Sequence, residues 1–300
     1  MIRASIDIGS NSCLLLILEI EGSSFKTLES HSQITSLGKD LDINKAFLES
    51  SMTATLSALK DYREILTKYS IESSNVIVTA TEASRVATNF DKLFNQAKEE
   101  LGFSITRISG EGEAYYTALG VARGSSGSDS IITIMDIGGA STELIKVQMD
   151  DFKILESVSL PVGSVRATDW LHKDEFSINM KKVLSAQSLN TYKVSKLVCV
   201  AGTMTTLSAI AENMKDFDES GIQGKTYSIG ALEKMVSRLG SSRDILSEYP
   251  ITGKRASSIY GGALVAREVA NFLKVSELEI STYGLRYGVA IEGSIDGRFI

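Results

Sequence analysis

Ile6-Asp7-Ile8-Gly9-Ser10-Asn11-Ser12, followed by the apolar run Cys13–Leu18, has a counterpart in Met135-Asp136-Ile137-Gly138-Gly139-Ala140-Ser141, followed by Thr142-Glu143-Leu144-Ile145. In each copy an apolar strand ends in a carboxylate. A tight turn of Gly and small hydroxyl residues follows, and a second strand begins. Such a turn presents backbone N–H groups to an anion, and the Asp beside it suits a hydrated divalent cation. One Asp-x-Gly at a strand end is ordinary turn chemistry. Repetition weighs differently: duplication preserves core residues, but the Asp and Ser of a turn are not core residues. Two copies predict two related domains with a phosphorylated substrate handled between them.

The composition narrows the class. A chain of 300 residues has room for two domains, each with its own core. Hydrophobic content of 43% with two prolines reads as compact and regular. The net charge of −6 argues against a general nucleic-acid or anionic-membrane binder. A polyanionic substrate therefore needs locally placed Arg and Lys. Cys13 and Cys199 lie in expected buried strands, and with the distant His31 and His172 they make no zinc site of known spacing. The N-terminus enters a strand at once without a signal-peptide layout, and no apolar run reaches membrane-helix length, so the chain reads as cytoplasmic and soluble.

Along the chain, residues 1–36 predict a three-stranded meander, and the spacing of Met52, Leu56, Leu59, Tyr62, Leu66 and Tyr69 predicts a long amphipathic helix. A strand at 76–80, a helix over 81–100 closed by Gly102, a strand at 103–108 and a helix over 111–123 follow. This alternation points to an α/β layered domain. Residues 124–130 read as a linker, which places a boundary near 122: an N-terminal domain over 1–121, a C-terminal domain over 122–285, and a closing helix at about 286–300 packing back on the first. The second domain repeats the scheme with strands at 131–138, 141–149 and 152–160. Helices either side of residue 174, a strand at 197–200 and a helix over 203–214 come next. A helix over 254–273, interrupted by Gly261-Gly262, and a strand at 277–282 complete it. Val200-Ala201-Gly202-Thr203 and Tyr283-Gly284-Leu285 read as strand-to-helix turns whose backbone donors suit a phosphate. The acidic cluster Asp216, Asp218 and Glu219 reads as a solvated loop.

Asp-Ile-Gly-Ser-Asn-Ser at 7–12, Ala80-Thr81-x-x-x-Arg85, Ile108-Ser109-Gly110-x-x-Glu113-Ala114, Asp136–Glu143, Gly202-Thr203 and Gly284-Leu285-Arg286 occur in that order. This set closely resembles the exopolyphosphatase/guanosine pentaphosphate phosphohydrolase (Ppx/GppA) family of the actin–Hsp70–sugar-kinase superfamily, in its short two-domain form. The resemblance covers essentially the whole chain. It implies an α/β fold of two actin-like (ribonuclease-H-like) domains with a cleft between them, and Mg2+-dependent removal of a terminal phosphate, with a monovalent cation such as K+ as a further candidate. It places Glu113 at the family's general base, and Asp136, Ser141 and Glu143 where metal and attacked phosphate are positioned. Arg85 falls on the family's phosphate-contacting arginine. Members are often homodimers.

The residue types make chemical sense of these roles. Phosphoryl transfer is mostly positioning and charge stabilisation. Backbone donors over Gly9, Ser10, Asn11 and Ser12 and over Gly138, Gly139, Ala140 and Ser141 would hold phosphate, with Gly202, Thr203 and Gly284 as further contacts. Asp7, Asp136 and Glu143 are the metal-side carboxylates. Arg85 supplies a fork that Lys would not reproduce, and Glu113 a base worth ~10²–10⁴-fold. Arg166, Lys254, Arg255 and Arg286 read as an extension of the basic track for a longer chain or, equally, as surface charges. Beside the other roles, Glu113 is also favourable at a helix start without catalysis, and Arg85 could be an exposed helix residue. Three departures from the family pattern matter. Ala140 replaces a Gly and is harmless at negative φ, Gly112 stands before the base and would loosen it, and Tyr287 follows Leu-Arg. The expected substrate is inorganic polyphosphate, with guanosine pentaphosphate (pppGpp) as the alternative. An ATP-using relative and a non-catalytic phosphate or nucleotide sensor are further readings of the same cradle.

Overall fold

The computed structural model describes residues 1–125, 129–241, 249 and 253–300. Residues 126–128 of the expected linker and the Lys254 side chain lie outside the described part. Contacts divide the chain into two units, Met1–Gly120 with Leu285–Ile300, and Val121–Gly284.

Unit 1 is built on β1 (Ile2–Ile8), β2 (Ser12–Glu21) and β3 (Ser24–Ile34), an antiparallel meander, with β4 (Ile77–Ala80) and β5 (Ile105–Arg107) added in parallel beside β1. The sheet order is β3-β2-β1-β4-β5. Its helices are α1 (Leu41–Asn44), α2 (Glu49–Lys68), α3 (Glu82–Val86), α4 (Phe90–Leu101) and α5 (Gly110–Gly124), the last running across the division at Gly120. Strand alternation fixes the two faces of the sheet. Ala4, Ile6 and Ile8 share a core with Met52, Leu59, Tyr62 and Leu66 of α2 and Leu93 and Ala97 of α4. On the other face the Ser5 hydroxyl donates to the Arg286 carbonyl (2.8 Å), and Asp7, two residues on, shares that face.

Unit 2 repeats the plan with β6 (Ile131–Ile137), β7 (Thr142–Gln148) and β8 (Lys153–Leu160) as the meander and β9 (Lys196–Val200) parallel to β6. A short β10 (Thr226–Ser228) and β11 (Glu277–Ile280) complete the order β10-β11-β9-β6-β7-β8. The helices are α6 (Ser164–His172), α7 (Phe176–Ser185), α8 (Ala201–Ala211), α9 (Glu219–Ile222), α10 (Ile229–Ser241) and α11 (Gly253–Leu273). After β11, α12 (Leu285–Glu292) belongs to unit 1 and packs on β1 and β2. The duplication reaches into detail. Both hairpins carry a bulge at the same distance from the motif aspartate, between Ile17 and Leu18 and between Lys146 and Val147.

Several elements differ from the sequence expectation. The helix expected over 81–100 is two, α3 and α4, because tertiary hydrogen bonds claim residues 88 and 89. Thr88 N–H donates to the Lys45 carbonyl (2.8 Å), and the Asn89 amide exchanges bonds with both backbone groups of Phe47. α11 is continuous through Gly261-Gly262. These glycines permit close packing: a Cβ at 261 would meet the Ser164 carbonyl at 2.8 Å, and one at 262 would meet the Thr203 side chain at 2.6 Å. The strand expected at 103–108 shortens to β5, and the closing helix ends at Glu292 rather than at 300. In the acidic cluster, Asp218 caps α9 by accepting from Ser220 N–H (2.9 Å).

Candidate active site

Each motif turn closes the same way. Gly9 N–H donates to the Ser12 carbonyl (2.9 Å), and Gly138 N–H to the Ser141 carbonyl (3.0 Å). A Cβ at Gly138 would sit tightly against that carbonyl at 3.3 Å, and one at Gly9 would make ordinary contact at 3.4 Å. The remaining carbonyls are held from behind. In unit 1, Ser10 O accepts from Gly38 N–H (2.7 Å) and Asn11 O from Thr35 and Ser36 N–H (3.0 Å each). In unit 2, Gly138 O accepts from Ser164 N–H (2.9 Å) and Gly139 O from Val165 N–H (2.8 Å). Ala140 O accepts from the Arg166 guanidinium (2.5 Å). A planar trans peptide points its C=O and the following N–H to opposite sides. The N–H groups of Asn11 and Ser12, and of Gly139, Ala140 and Ser141, therefore turn away from these supports. Each loop is a row of backbone donors of the kind that binds anions.

Close approach makes the second loop possible. A Cβ at Gly163 would lie 2.5 Å from the Gly139 carbonyl carbon and 2.6 Å from the Gly138 oxygen, so only glycine lets the start of α6 reach the loop. Ala140 is not among the positive-φ residues, so its methyl group strains nothing. The Gly163 and Arg166 supports were missed by motif reading. A glycine directly before a helix start was the available signal for the first.

Asp136 and Glu143 are register partners across β6 and β7, so their side chains share one face of the sheet. Glu143 is buried and its Oε1 accepts from the Ser159 hydroxyl (2.8 Å), Ser159 being its partner on β8. Asp7 in unit 1 faces Leu14 instead. The duplication therefore keeps one carboxylate in unit 1 and sets two side by side in unit 2. Hard carboxylate oxygens suit Mg2+, which is usually held by one or two carboxylates plus substrate phosphates. Like charges directly opposite one another cost stability, and a divalent cation offsets that cost. The donor set fits the metal that the resemblance implies. Among the described residues, no three of His, Cys, Asp and Glu gather into an all-protein cage.

Arg85 on α3 and Glu113 on the first turn of α5 meet. Arg85 Nη2 donates to Glu113 Oε2 at 3.0 Å, and Nη1 to the Ile108 carbonyl at 2.8 Å. Both side chains are largely but not fully buried, at 28% and 15% exposed. A guanidinium has five N–H donors, so these two bonds leave part of the fork for an oxyanion.

The strand-to-helix turn at α8 differs from expectation. The left-handed residue is Ala201 (φ 69°), not Gly202. That conformation costs an L-residue roughly 1–2 kcal/mol. Gly202 serves packing: the Arg255 guanidinium occupies its side-chain space, with Nη1 2.0 Å from where a Cβ would stand. Thr203 is buried, and among the described residues nothing lies within 4 Å of where a Cβ at Gly284 would stand. Arg286 donates to the Leu15 carbonyl (2.9 Å), and Tyr287 is wholly buried with its hydroxyl 3.1 Å from the Thr27 hydroxyl, so both belong to the packing of α12 on unit 1.

A sequence model of the Ppx/GppA phosphatase family matches residues 16–294. The chain belongs to the Ppx/GppA phosphatase family. A bifunctional 3-dehydroquinate synthase/phosphatase of Fusobacterium nucleatum is 31% identical over 97% of this chain, which spans 46% of that protein. Exopolyphosphatase 2 of Mycobacterium tuberculosis is 29% identical over 96% of this chain and 97% of its own length. A guanosine-5'-triphosphate,3'-diphosphate pyrophosphatase of Vibrio vulnificus is 28% identical over 96% of this chain and 58% of its own length. Among solved structures, the Aquifex aeolicus member of the Ppx/GppA family superposes with a TM-score of 0.78 at 28% identity, covering 97% of both chains. The fold is accordingly the actin-like one of this family, two mixed α/β sheets clothed in helices. Among the described residues, no helix is long and apolar enough to cross a membrane.

Proposed function

We propose that this Ppx/GppA member is an exopolyphosphatase, hydrolysing the terminal phosphoanhydride of inorganic polyphosphate with Mg2+. The observation that carries the reading is the Arg85–Glu113 contact at 3.0 Å, which we read as a phosphate-binding fork that holds the base. Glu113 takes a proton from water, the water oxygen bonds to the terminal phosphorus, and the bridging P–O bond breaks with its electron pair going to the departing chain. Arg85 holds the phosphoryl oxygens through its remaining donors. The N–H groups of Asn11 and Ser12 and of Gly139, Ala140 and Ser141 bind phosphate oxygens, while those of Gly9 and Gly138 close the turns. Gly202, Thr203 and Gly284 are further phosphate contacts by family resemblance alone. Ser141 orients the attacked phosphate; Asp136 and Glu143 would hold the metal, with Asp7 a further metal-side carboxylate by family resemblance alone. Bound Mg2+ supplies charge neutralisation at the transferred phosphoryl group.

Guanosine pentaphosphate is the second reading, supported by the relative from Vibrio vulnificus. Both substrates present a terminal phosphoanhydride to the same donors. A cytoplasmic setting accords with the free, buried Cys13 and Cys199, whose thiols burial pushes up. Dimer formation and a K+ requirement are part of the proposal by family resemblance alone.

The test is phosphate release by the purified chain with Mg2+ from polyphosphate, guanosine pentaphosphate and ATP. Release from polyphosphate fastest is expected, and faster release from guanosine pentaphosphate selects the second reading. Binding without release from any of them would overturn the hydrolase assignment in favour of a sensor.

A further inference from the structure

We infer that Phe299 is a positioning residue for Glu113, acting through the side-chain space left open at Gly112; the inference rests on the assignment of Glu113 as the base. The first N–H groups of a helix have no acceptor within it. At the start of α5, Gly112 N–H donates to the Ser109 hydroxyl (3.2 Å) and Glu113 N–H to the Ser109 carbonyl (3.0 Å). Ser109 is itself tied down, because its own N–H donates to the Phe299 carbonyl at 2.7 Å. The turn that carries the base is therefore bolted to the 3-10 turn Gly297–Phe299.

The side chains lock the same joint. Phe299 is buried, with ring centroids 5.1 Å from Tyr115 and 5.8 Å from Tyr116. Tyr116 holds the approach to it, donating to the Ser294 carbonyl (3.2 Å) and accepting from Asp296 N–H (2.9 Å). A Cβ at residue 112 would stand 2.7 Å from Phe299 Cβ and 3.1 Å from its Cγ. The space that a side chain at 112 would need is taken by the Cβ and Cγ of Phe299. Glu113 is thus fixed from two directions: its carboxylate by Arg85, and its backbone by Phe299 through Ser109 and Gly112. General-base catalysis depends on that placement, since a misplacement of about 1 Å can cost on the order of 10²-fold.

The experiment compares Phe299→Ala, Gly112→Ala and the double variant in the full chain, by phosphate release, thermal unfolding and amide hydrogen exchange. Each single substitution is expected to lower kcat about tenfold or more while KM stays within about twofold, the signature of a group needed only in the transition state. The double variant should lose less than the product of the two, because both substitutions loosen the same joint: Phe299→Ala removes the Cγ, 3.1 Å from where the new methyl group stands, while its Cβ remains. Amide exchange should quicken over residues 109–113 in Phe299→Ala and stay unchanged in β6 and β7. Wild-type kcat in Phe299→Ala, losses that multiply, or KM and kcat moving together with a general loss of stability would each overturn the inference. A wild-type chain that releases no phosphate would instead sink the hydrolase reading. The exchange at 109–113 then still decides whether Phe299 holds that turn, unchanged exchange refuting it.

Discussion

Arg85 and Glu113 were both legible as motif residues, but their contact was not. They stand on different helices, and the folding of β4 and β5 beside β1 brings them together. The contact makes a specific prediction. A lysine at 85 carries a single compact charge and cannot serve the Ile108 carbonyl, Glu113 and a phosphate as one planar fork does. Charge-assisted hydrogen bonds contribute about 1.5–3 kcal/mol each. Arg85→Lys should therefore lower kcat/KM by roughly ten- to a hundredfold, read from steady-state phosphate release; unaltered kinetics would remove Arg85 from the site. Gly112 shows the limit of motif reading at this scale. The sequence made it a weak point beside the base, whereas the structure fills its space with Phe299 from the far end of the chain. Ala140 came out as the harmless case, its φ lying outside the left-handed region.

The two loops depend on the elements that support them. Loop 138–141 is shaped by the start of α6, and Gly163 is where the two backbones nearly touch. A methyl group there meets backbone atoms that cannot move aside as a flexible side chain would. Gly163→Ala should destabilise the protein by about 1–3 kcal/mol and reduce phosphate release, whereas Gly230→Ala on α10, where among the described residues a Cβ would meet only the Ser228 hydroxyl at 3.9 Å, should leave both unchanged or slightly improved. Thermal unfolding of the two variants side by side checks this; equal stability would mean that loop and helix can separate freely. The meanders, α2 and the start of α5 were readable because period-two and helical spacing are local signals. The break between α3 and α4 was not, because it is made by Asn89 bonding to Phe47 and Thr88 to Lys45. Gly261-Gly262 misled for a related reason: within α11 these glycines mark close helix packing, not an interruption.

At the scale of the whole molecule, the duplicated meander with its matched bulges is the feature that the repeated motif announced most directly. Its asymmetry was also visible in the letters, since Leu14 stands where the second copy has Glu143. Apart from the signal at Gly163, the letters did not carry the supports behind each loop, which come from residues 35–38 and 163–166. If the carboxylate pair of unit 2 holds the metal, Glu143→Gln should raise the Mg2+ concentration for half-maximal rate by about tenfold or more. Titrating Mg2+ against rate reads this out, and an unchanged half-maximal concentration would separate Glu143 from the metal. Comparing wild type with Glu113→Gln in two assays tests Glu113 as the base of a phosphohydrolase. These are Mg2+-dependent phosphate release from polyphosphate and equilibrium binding of the same substrate. Release should fall by ~10²–10⁴-fold while binding is kept; full release by Glu113→Gln would mean that another group is the base.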